Sequence, residues 1–330
     1  MIEVLPISAI VPTRNRAASL EKMLHSLARQ VAQPLEMIVI DASLDDSTRL
    51  ICRPKSIEGL ATQVQYVTAH EVGAASQRNQ GVKLSTQKAI LFVDDDVVFE
   101  PDCIARQWTS LNSNPRFGGV SSMIVNQRYH SPGLISRWLF WILNGRTEQS
   151  YAGRCIGPAL NLLPEDDPNL PDTVEVEWLN TTCTLYRKDA LPDPVFADHF
   201  TGYSFMEDVA LSLIVGKTWK LANARTARIY HDSQTADYKK DKLALAKMEL
   251  INRHYVMTQV LGRNRFRDYA KLAMLETFGV VSPLVKLSAW KTLLAVLWGK
   301  GCGITVLLRL RGDEASQRII AEKQTPVSPA

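Results

Sequence analysis

The sequence predicts an α/β protein with a mostly parallel sheet flanked by helices and a C-terminal helical extension. One observation behind this fold class is the order of patterns: short apolar segments alternate with helical patterns in the N-terminal third, as in a sheet wound by right-handed crossovers. A second is a change in charge. Residues 239–311 contain 14 Lys and Arg against 4 Asp and Glu, whereas the rest of the chain contains 24 against 30.

The individual elements follow from local periodicity. An apolar stripe at helical spacing predicts the first helix, formed by Leu20, Met23, Leu24, Leu27 and Val31. In chain order we predict strands at residues 7–11, 35–40, 64–68 and 89–93, and helices at residues 17–31, 74–84 and 101–112, with a turn and a short helix within residues 42–52. The chain, at 330 residues and 46% hydrophobic, is long enough to bury such a core.

Three consecutive carboxylates, Asp94, Asp95 and Asp96, follow the apolar strand at residues 89–93. Neighbouring like charges repel, and partial burial at a strand end strengthens that repulsion, so a divalent cation with oxygen ligands would compensate it. A solvated turn before the next helix is the alternative interpretation of these three acids.

Polar residues also follow two other predicted strands, namely Thr13-Arg14-Asn15 and Asp41. Ligands of such sheets bind beyond the carboxyl ends of the strands. A phosphate-binding P-loop is excluded at Gly216-Lys217-Thr218, because Leu211 occupies the position of its first glycine. No GxGxxG follows the first strand either. A metal and basic side chains such as Arg78 would therefore have to neutralise bound phosphates.

The strand-end motifs together resemble family 2 glycosyltransferases with the GT-A fold. The motifs are Pro12-Thr13-Arg14-Asn15, residues 39–43 with residues 46–48, Arg78-Asn79 and Phe92-Val93-Asp94-Asp95-Asp96. Later in the chain, residues 177–181 leading to residues 186–188 resemble the acceptor-side strand of the family. Residues 205–211 resemble its ED motif, and His231 follows a strand-like segment as a late metal or phosphate ligand does.

The resemblance implies a role for each matched residue. It implies an inverting, metal-dependent transfer from a UDP-, GDP- or dTDP-sugar with Mn²⁺ or Mg²⁺, Asp208 being the general base and Glu207 the alternative. The implied donor-binding residues are Pro12, Thr13, Arg14, Asn15, Asp41, Arg78, Asn79, Asp94 and Asp95. The implied metal ligands are Asp94, Asp96 and His231, and the implied acceptor-binding residues are Trp178, Asn180 and Glu207.

Two departures limit the comparison with the family. Residues 180–183 lack the glycine that the family often has in its acceptor strand. The processive signature Gln-x-x-Arg-Trp is missing as well, because Leu134 stands where the glutamine of an Arg137-Trp138 match would be. We therefore expect one sugar to be transferred per encounter. A nucleotidyltransferase and an inactive nucleotide-sugar-binding module are the alternative functions.

The C-terminal part predicts a membrane contact. Its basic residues, with Trp290 and Trp298 among aliphatic side chains, favour peripheral attachment to an anionic membrane over nucleic acid, and a helical cap on the core is the alternative. We expect helices at residues 238–261, 266–280 and 284–298, with Lys286 and Lys291 opposite the apolar face of the last one. A clean transmembrane helix is not expected there. Residues 132–143 predict a buried or interfacial helix or a lid.

These patterns divide the chain into three predicted parts. Residues 1–237 form the catalytic domain, with a nucleotide-sugar half at residues 1–125 and an acceptor half at residues 126–237. Residues 238–311 form the extension, and residues 312–330 a disordered tail. Five scattered cysteines and the lack of a signal-like N-terminus predict a cytoplasmic protein on the inner face of the cell membrane, with a glycan or lipid-linked acceptor.

Overall fold

The computed structural model describes residues 2–53, 57–145, 147–202, 204–233 and 241–324, with side chains described up to residue 310. The chain forms two compact units, residues 1–234 and 235–330. The boundary predicted after residue 237 lies outside the described residues, and the assignment of roles to the domains stays a prediction.

The first unit alternates strands and helices. Its strands are β1 (Glu3–Thr13), β2 (Ala32–Asp41), β3 (Gln63–Thr68), β4 (Ala89–Val93), β5 (Val97–Phe99), β6 (Phe117–Ile124), β7 (Cys155–Ile156), β8 (Leu160–Asn161), β9 (Thr173–Val176), β10 (Cys183–Arg187) and β11 (Lys220–His231). Its helices are α1 (Ala17–Ala28), α2 (Ser47–Ile51), α3 (Ala74–Leu84), α4 (Cys103–Asn112), α5 (Leu134–Asn144) and α6 (Glu207–Val215).

Within the described residues, nine of these strands form one sheet in the order β3-β2-β1-β4-β10-β6-β11-β5, with β9 pairing on β11. The four strands from β3 to β4 are mutually parallel, as the sequence predicts. β10 then enters antiparallel to both β4 and β6, and β11 runs parallel to β6 but antiparallel to β5 and β9. The α/β class is confirmed, and the second half of the sheet is mixed rather than mostly parallel.

The core lies between the sheet and its helices. α1 packs Leu20, Met23, Leu24 and Leu27 into it, and β1 and β4 are buried along nearly their whole length. α1 ends at Ala28, however, and Val31 is 54% exposed, so the predicted helix was too long. Beyond the end of α1, the side chain of Gln30 is buried. It donates to the carbonyl oxygen of Glu100 (2.5 Å) and accepts from the amide of Ile104 (3.1 Å).

The remaining boundary differences follow from turns that periodicity does not reveal. The short helix predicted, together with a turn, within residues 42–52 is α2, and the helix predicted from residue 101 begins at Cys103. The segment resembling the acceptor-side strand is irregular over residues 177–182, and its strand is β10. The helix predicted within residues 132–143 is α5, with one buried and one exposed face.

The second unit is helical, with α7 (Lys242–Tyr255), a π-helical turn (Val256–Val260), α8 (Phe266–Val281), a 3₁₀ turn (Ser282–Val285), α9 (Leu287–Trp290) and α10 (Leu293–Gln324). The single helix predicted at residues 284–298 is wrong, because Lys286 and Lys291 flank the short α9 rather than occupying one face. Helical backbone also continues to Gln324, where a disordered tail was predicted from residue 312.

In the described part of the chain, α10 contains a segment that is long and apolar enough to cross a membrane. This segment is Leu293–Leu310, with a mean hydropathy of 1.6 and 11% of its residues buried. Length and composition are its only support, and they suit an interfacial helix as well as a spanning one.

Candidate active site

The carboxyl ends of β1, β2 and β4 bring Thr13, Asp41 and the three acids after β4 to one edge of the sheet. β1 pairs with β2 on one side and with β4 on the other, so the ends of the three strands are neighbours. Gln77 of α3 closes this edge by donating to the carbonyl oxygens of Thr13 (3.0 Å) and Ile40 (2.7 Å). The prediction that the strand-end residues lie together is therefore confirmed in geometry.

The three acids have separate partners. Asp94 accepts from Arg78 Nη2 at 2.7 Å, and Asp95 accepts from Thr13 Oγ1 at 2.7 Å. Asp96 lies 3.0 Å from His231 Nε2, and Arg16 Nη1 bridges Asp95 (3.2 Å) and Asp96 (3.0 Å). A solvated turn would leave these carboxylates in water, but Asp95 and Asp96 are buried. The geometry therefore favours a cation-binding edge over the solvated turn.

Burial affects the two inner acids differently. Burial raises the pKa of Asp95 to about 6, against the hydrogen bond from Thr13 and the charge of Arg16. Burial also opposes ionisation of Asp96, but the hydrogen bond and charge of His231, together with Arg16, outweigh it and lower its pKa. Asp96 is thus the acid of this buried pair that is held in its charged form.

Asp94, Asp96 and His231 form a possible metal site. One ligand atom from each lies within 4.8 Å of the others. The fold brings His231 there because His231, the last residue of β11, pairs with Val97, the first residue of β5. The amide of Asp232 also donates to the carbonyl oxygen of Asp96 (2.8 Å), which fixes the two segments together.

Arg78 connects the acids after β4 with helix α6. Its guanidinium donates to Asp94 (2.7 Å) and to Glu207 Oε1 (3.2 Å), and its side chain is 4% exposed. The ring of Phe196 lies 5.8 Å from the same guanidinium. Asn79 holds Phe196 in place, because its side-chain amide bonds both the amide and the carbonyl of that residue (2.9 and 2.7 Å).

Glu207 and Asp208 begin α6, after a loop with left-handed backbone at Gly202, Ser204 and Met206 (φ 61°, 54° and 74°). Such conformations cost free energy in residues other than glycine and are concentrated at functional sites. Burial raises the pKa of Glu207 to about 8, with Asp208 adding to the shift. Burial likewise raises the pKa of Asp208, to about 6, and this side chain keeps some exposure.

Comparison with models of protein families relates this part of the chain to known proteins. Residues 8–159 match the model of glycosyl transferase family 2, a stretch that contains the strand ends and the three acids. Residues 8–159 therefore belong to glycosyl transferase family 2. The resemblance seen in the sequence is confirmed over this stretch.

Curated relatives agree with this family. The chain is 34% identical over 102 residues to validoxylamine A glucosyltransferase of Streptomyces hygroscopicus, covering 30% of this chain and 24% of the relative. It is 33% identical over 138 residues to a PGL/p-HBAD biosynthesis glycosyltransferase of Mycobacterium bovis, covering 40% of this chain and 54% of the relative. An uncharacterized glycosyltransferase of Haemophilus influenzae is 32% identical over 114 residues, 34% of this chain and 37% of the relative. The matched stretch thus spans between about a quarter and about half of these relatives.

Among solved structures, a mannosyltransferase from Pyrobaculum calidifontis in complex with GDP-Man and Mn²⁺ is similar in fold. The comparison has a TM-score of 0.54 at 16% identity and covers 94% of this chain and 80% of that one. At this identity the likeness concerns the fold alone, and it confirms the GT-A class.

The predicted donor residues of this glycosyltransferase have unequal environments. Asp41 is buried and accepts from Ser43 (amide 2.9 Å, hydroxyl 2.5 Å) and from Tyr66 (3.2 Å). Arg14 and Asn15 are exposed at the end of β1, and Pro12 is buried within it. Asn79 is engaged with Phe196, as described above, so its side chain positions the loop next to Arg78. Their roles in donor binding remain predictions.

The predicted acceptor residues are buried or half-buried. Trp178 is 6% exposed and donates its indole N–H to the carbonyl oxygen of Leu162 (2.6 Å). Asn180 is half-buried, and its side chain accepts from the amide of Thr182 (3.2 Å). Both residues stabilise the irregular segment before β10. Glu207 is linked to Asp94 through Arg78.

Sequence reasoning missed two residues of the site. Arg16 is not among the predicted site residues, although it bridges Asp95 and Asp96; its distance of three residues from Thr13 was the available signal. Tyr66 belongs to β3, where a tyrosine is unremarkable, and only the pairing of β3 with β2 brings it to Asp41.

Proposed function

We propose that this glycosyltransferase moves a sugar, with inversion, from a nucleoside diphosphate donor to a hydroxyl of a glycan or lipid-linked acceptor. The observation that carries the proposal is the convergence of Asp94, Asp96 and His231 at one sheet edge, where Arg78 joins Asp94 to Glu207, the neighbour of Asp208 in α6. Binding groups for a charged leaving group thereby lie next to a candidate base.

The donor set fits Mn²⁺ or Mg²⁺. Two carboxylates supply hard oxygen ligands and one imidazole supplies nitrogen, a combination that suits Mn²⁺ well. Asp94, Asp96 and His231 would hold the ion. When bound, it supplies positive charge to the diphosphate as negative charge develops there.

The chain's own residues account for the rest of the reaction. The carboxylate of Asp208 accepts the proton of the acceptor hydroxyl as that oxygen forms a bond to the anomeric carbon. The bond from that carbon to the diphosphate breaks at the same time, and its electron pair leaves with the nucleoside diphosphate. Arg78 orients Asp94 and Glu207 through its two hydrogen bonds, and Asp41 would accept from the base of the nucleotide.

Asp208 suits the role of base better than Glu207. The pKa of Asp208 is raised to about 6, so it is ionised at neutral pH, and it remains partly exposed. The pKa of Glu207 is raised to about 8, its carboxylate is tied to Arg78, and the residue is buried. Glu207 would then position Arg78 and contact the acceptor.

A membrane location is supported by the second unit. Its exposed apolar side chains accompany the basic composition of residues 239–311, and they include Val285, Leu287, Trp290, Leu294 and Trp298. Such a surface suits peripheral contact with an anionic cytoplasmic leaflet and a lipid-linked acceptor. Co-sedimentation of the full chain with anionic but not neutral vesicles is expected, and equal recovery in both supernatants would refute it.

A panel of nucleotide sugars tests the reaction. With Mn²⁺ present, this account expects release of the nucleoside diphosphate from one or a few donors. Pyrophosphate release from a nucleoside triphosphate and a sugar phosphate would indicate a nucleotidyltransferase instead. Donor binding without any release, across the panel and with a range of acceptors, would indicate an inactive binding module.

A further inference from the structure

Helix α5 of the catalytic unit carries an apolar strip on its outer face. Leu134, Ile135, Trp138 and Trp141 are 86%, 74%, 62% and 49% exposed. Spacings of three and four residues place Leu134, Trp138 and Trp141 on one side of the helix. Contiguous exposed apolar surface of this kind is uncommon on soluble proteins and marks an interaction site.

The opposite face fixes α5 to the unit. Leu139, Phe140 and Leu143 are buried, and the Phe140 ring meets the edge of Tyr151 with centroids 5.2 Å apart. Gly145 ends the helix in the left-handed conformation (φ 77°). The outer strip is therefore a preformed surface on a packed helix.

The segment that contains the strip is basic. Between Asn126 and Thr147 the sequence contains Arg128, Arg137 and Arg146 and no Asp or Glu. Arg128 is exposed, and the guanidinium of Arg137 lies over the Tyr151 ring at 5.6 Å. Arginine beside exposed indole and aliphatic side chains is complementary to an anionic lipid interface, where tryptophan rings concentrate.

The strip is also close in sequence to the candidate metal site. Asn126 pairs its side-chain amide with the backbone of His231 (2.9 and 3.1 Å), and Gln127 Nε2 lies 3.4 Å from His231 Nδ1. Leu134 follows Gln127 by seven positions, which at full extension span at most about 25 Å. The start of α5 is thus connected to His231 by a short segment of chain.

We propose that the outer face of α5 inserts into an anionic membrane interface and is a membrane contact of the catalytic unit itself. A bilayer at this face would hold a lipid-linked acceptor at the unit that contains Asp208 and the metal ligands. Only the identity of that acceptor rests on the function proposed above. The contact of α5 with lipid is independent of the second unit's apolar helices.

A fluorescent label on the strip tests insertion directly. Ile135→Cys carries an environment-sensitive nitrobenzoxadiazole in the full chain with Cys155→Ser and Cys302→Ser, because the other cysteines are buried. Vesicles containing phosphatidylglycerol are expected to shift its emission to the blue. The matched control is Leu50→Cys, a half-exposed leucine of α2, which should not shift. Absence of a shift at position 135, or equal shifts at both positions, would overturn the proposal.

A substitution series tests the contribution to binding. Leu134→Gln, Trp138→Gln and Trp141→Gln together keep good helix formers on α5 and should weaken partition to the same vesicles by about tenfold or more. Leu50→Gln should leave it unchanged. An unaltered midpoint of thermal unfolding would show that the triple variant is folded. If the triple variant unfolds, Trp138→Gln alone replaces it, with a smaller expected loss of partition to the vesicles. Unchanged partition of a folded variant would refute the proposal.

Two further results separate the possible explanations. Dimerisation of the wild-type chain in the absence of lipid, abolished by the triple variant, would mean that a second copy covers the strip, and the lipid assignment would be wrong. Release of nucleoside diphosphate in solution, measured without vesicles, tests the proposed function separately. Loss of lipid binding by α5 variants together with an absence of any donor turnover in the wild type would support the α5 contact while refuting the transferase.

Discussion

Asp94, Asp95 and Asp96 are consecutive, yet their carboxylates have different sets of partners. This difference gives the three residues different roles in the site. Asp94 contacts Arg78, and Asp95 contacts Thr13 and Arg16. Asp96 shares Arg16 with Asp95 and also contacts His231. Asp95 is buried, its carboxylate is bound by Thr13 and Arg16, and it is not part of the cluster that Asp94, Asp96 and His231 form. The structure thus favours Asp94 and Asp96 as the metal-binding pair.

The ED pair offers a test of the catalytic base. Asp208→Asn removes the proton acceptor without changing size, so turnover should fall by roughly 10²-fold or more at nearly unchanged donor affinity. Glu207→Gln keeps one hydrogen bond to Arg78 and should do less. Steady-state kinetics and donor titration on both variants decide between them; a larger loss for Glu207→Gln would assign the base to Glu207.

The pH dependence of kcat/KM should follow Asp208. A base acts only when ionised, and since burial raises the pKa of Asp208 to about 6, the rate should fall as the pH decreases through about 6. A pH series on the wild type and on the residual activity of Asp208→Asn checks the assignment. Persistence of the same acid limb in the variant would assign it to another group, with Asp95, whose pKa is also raised to about 6, as the first candidate.

Arg16 competes with a cation for the acids after β4. Its guanidinium bridges Asp95 and Asp96, so Arg16→Gln should tighten Mn²⁺ binding in the absence of donor, by roughly fivefold for the removal of one nearby charge. Calorimetry with Mn²⁺ alone measures this. Arg14→Gln, which removes an exposed arginine from the same turn, is the control and should change little. Weaker binding in Arg16→Gln would mean that the arginine organises the ligands.

At the scale of elements, the close approach of α3 to β1 places Arg78 and Gln77. Gly81 allows it, because a Cβ there would meet Ile10 Cγ2 at 2.4 Å. A second close contact lies at the start of α3. Gly73, which precedes this helix, forms an isolated parallel β-bridge with Gly202 in the loop before α6. Glycines at these two contacts thus bring Arg78 and Glu207 within hydrogen-bond distance.

Gly81→Ala should therefore destabilise the protein by about 1 to 3 kcal/mol, as expected for overpacking at a buried contact. The control is Gly279→Ala on α8, where nothing lies within 4 Å of the new methyl group and the change should be neutral or slightly stabilising. Thermal unfolding of both variants provides the measurement. Equal stability of Gly81→Ala and wild type would show that α3 shifts easily against β1.

Element positions were predictable where the local pattern determines them. The ends of β1, β2 and β4 and the start of α3 follow from apolar runs and helical spacing. The insertion of β10 between β4 and β6 was not predictable, because β10 pairs with residues roughly 60 to 100 positions away in the chain. Arg14 and Arg16 are equivalent in pattern, and only the backbone turn after β1 directs Arg16 to the acids. The breaks around α9 also have no signal in hydropathy alone.

At the scale of the whole molecule, chemistry and charge are distributed unequally between the two units. The first unit contains the described acids of the site, and the second contains an excess of basic residues beside exposed apolar helices. This division suits an enzyme whose donor comes from solution and whose acceptor is held at a membrane. Each unit also has an apolar surface of its own, α5 in the first and the helices from α8 to α10 in the second.

The metal dependence of donor binding is measured by calorimetric titration of the wild-type chain with its nucleotide sugar, with and without Mn²⁺. Mn²⁺ should tighten donor binding by at least about tenfold in the wild type and have almost no effect in Asp96→Ala, because the diphosphate then lacks its bound cation. Asp189→Ala, at an exposed carboxylate outside the site, should behave as the wild type. Unchanged Mn²⁺-dependent affinity in Asp96→Ala would contradict the account.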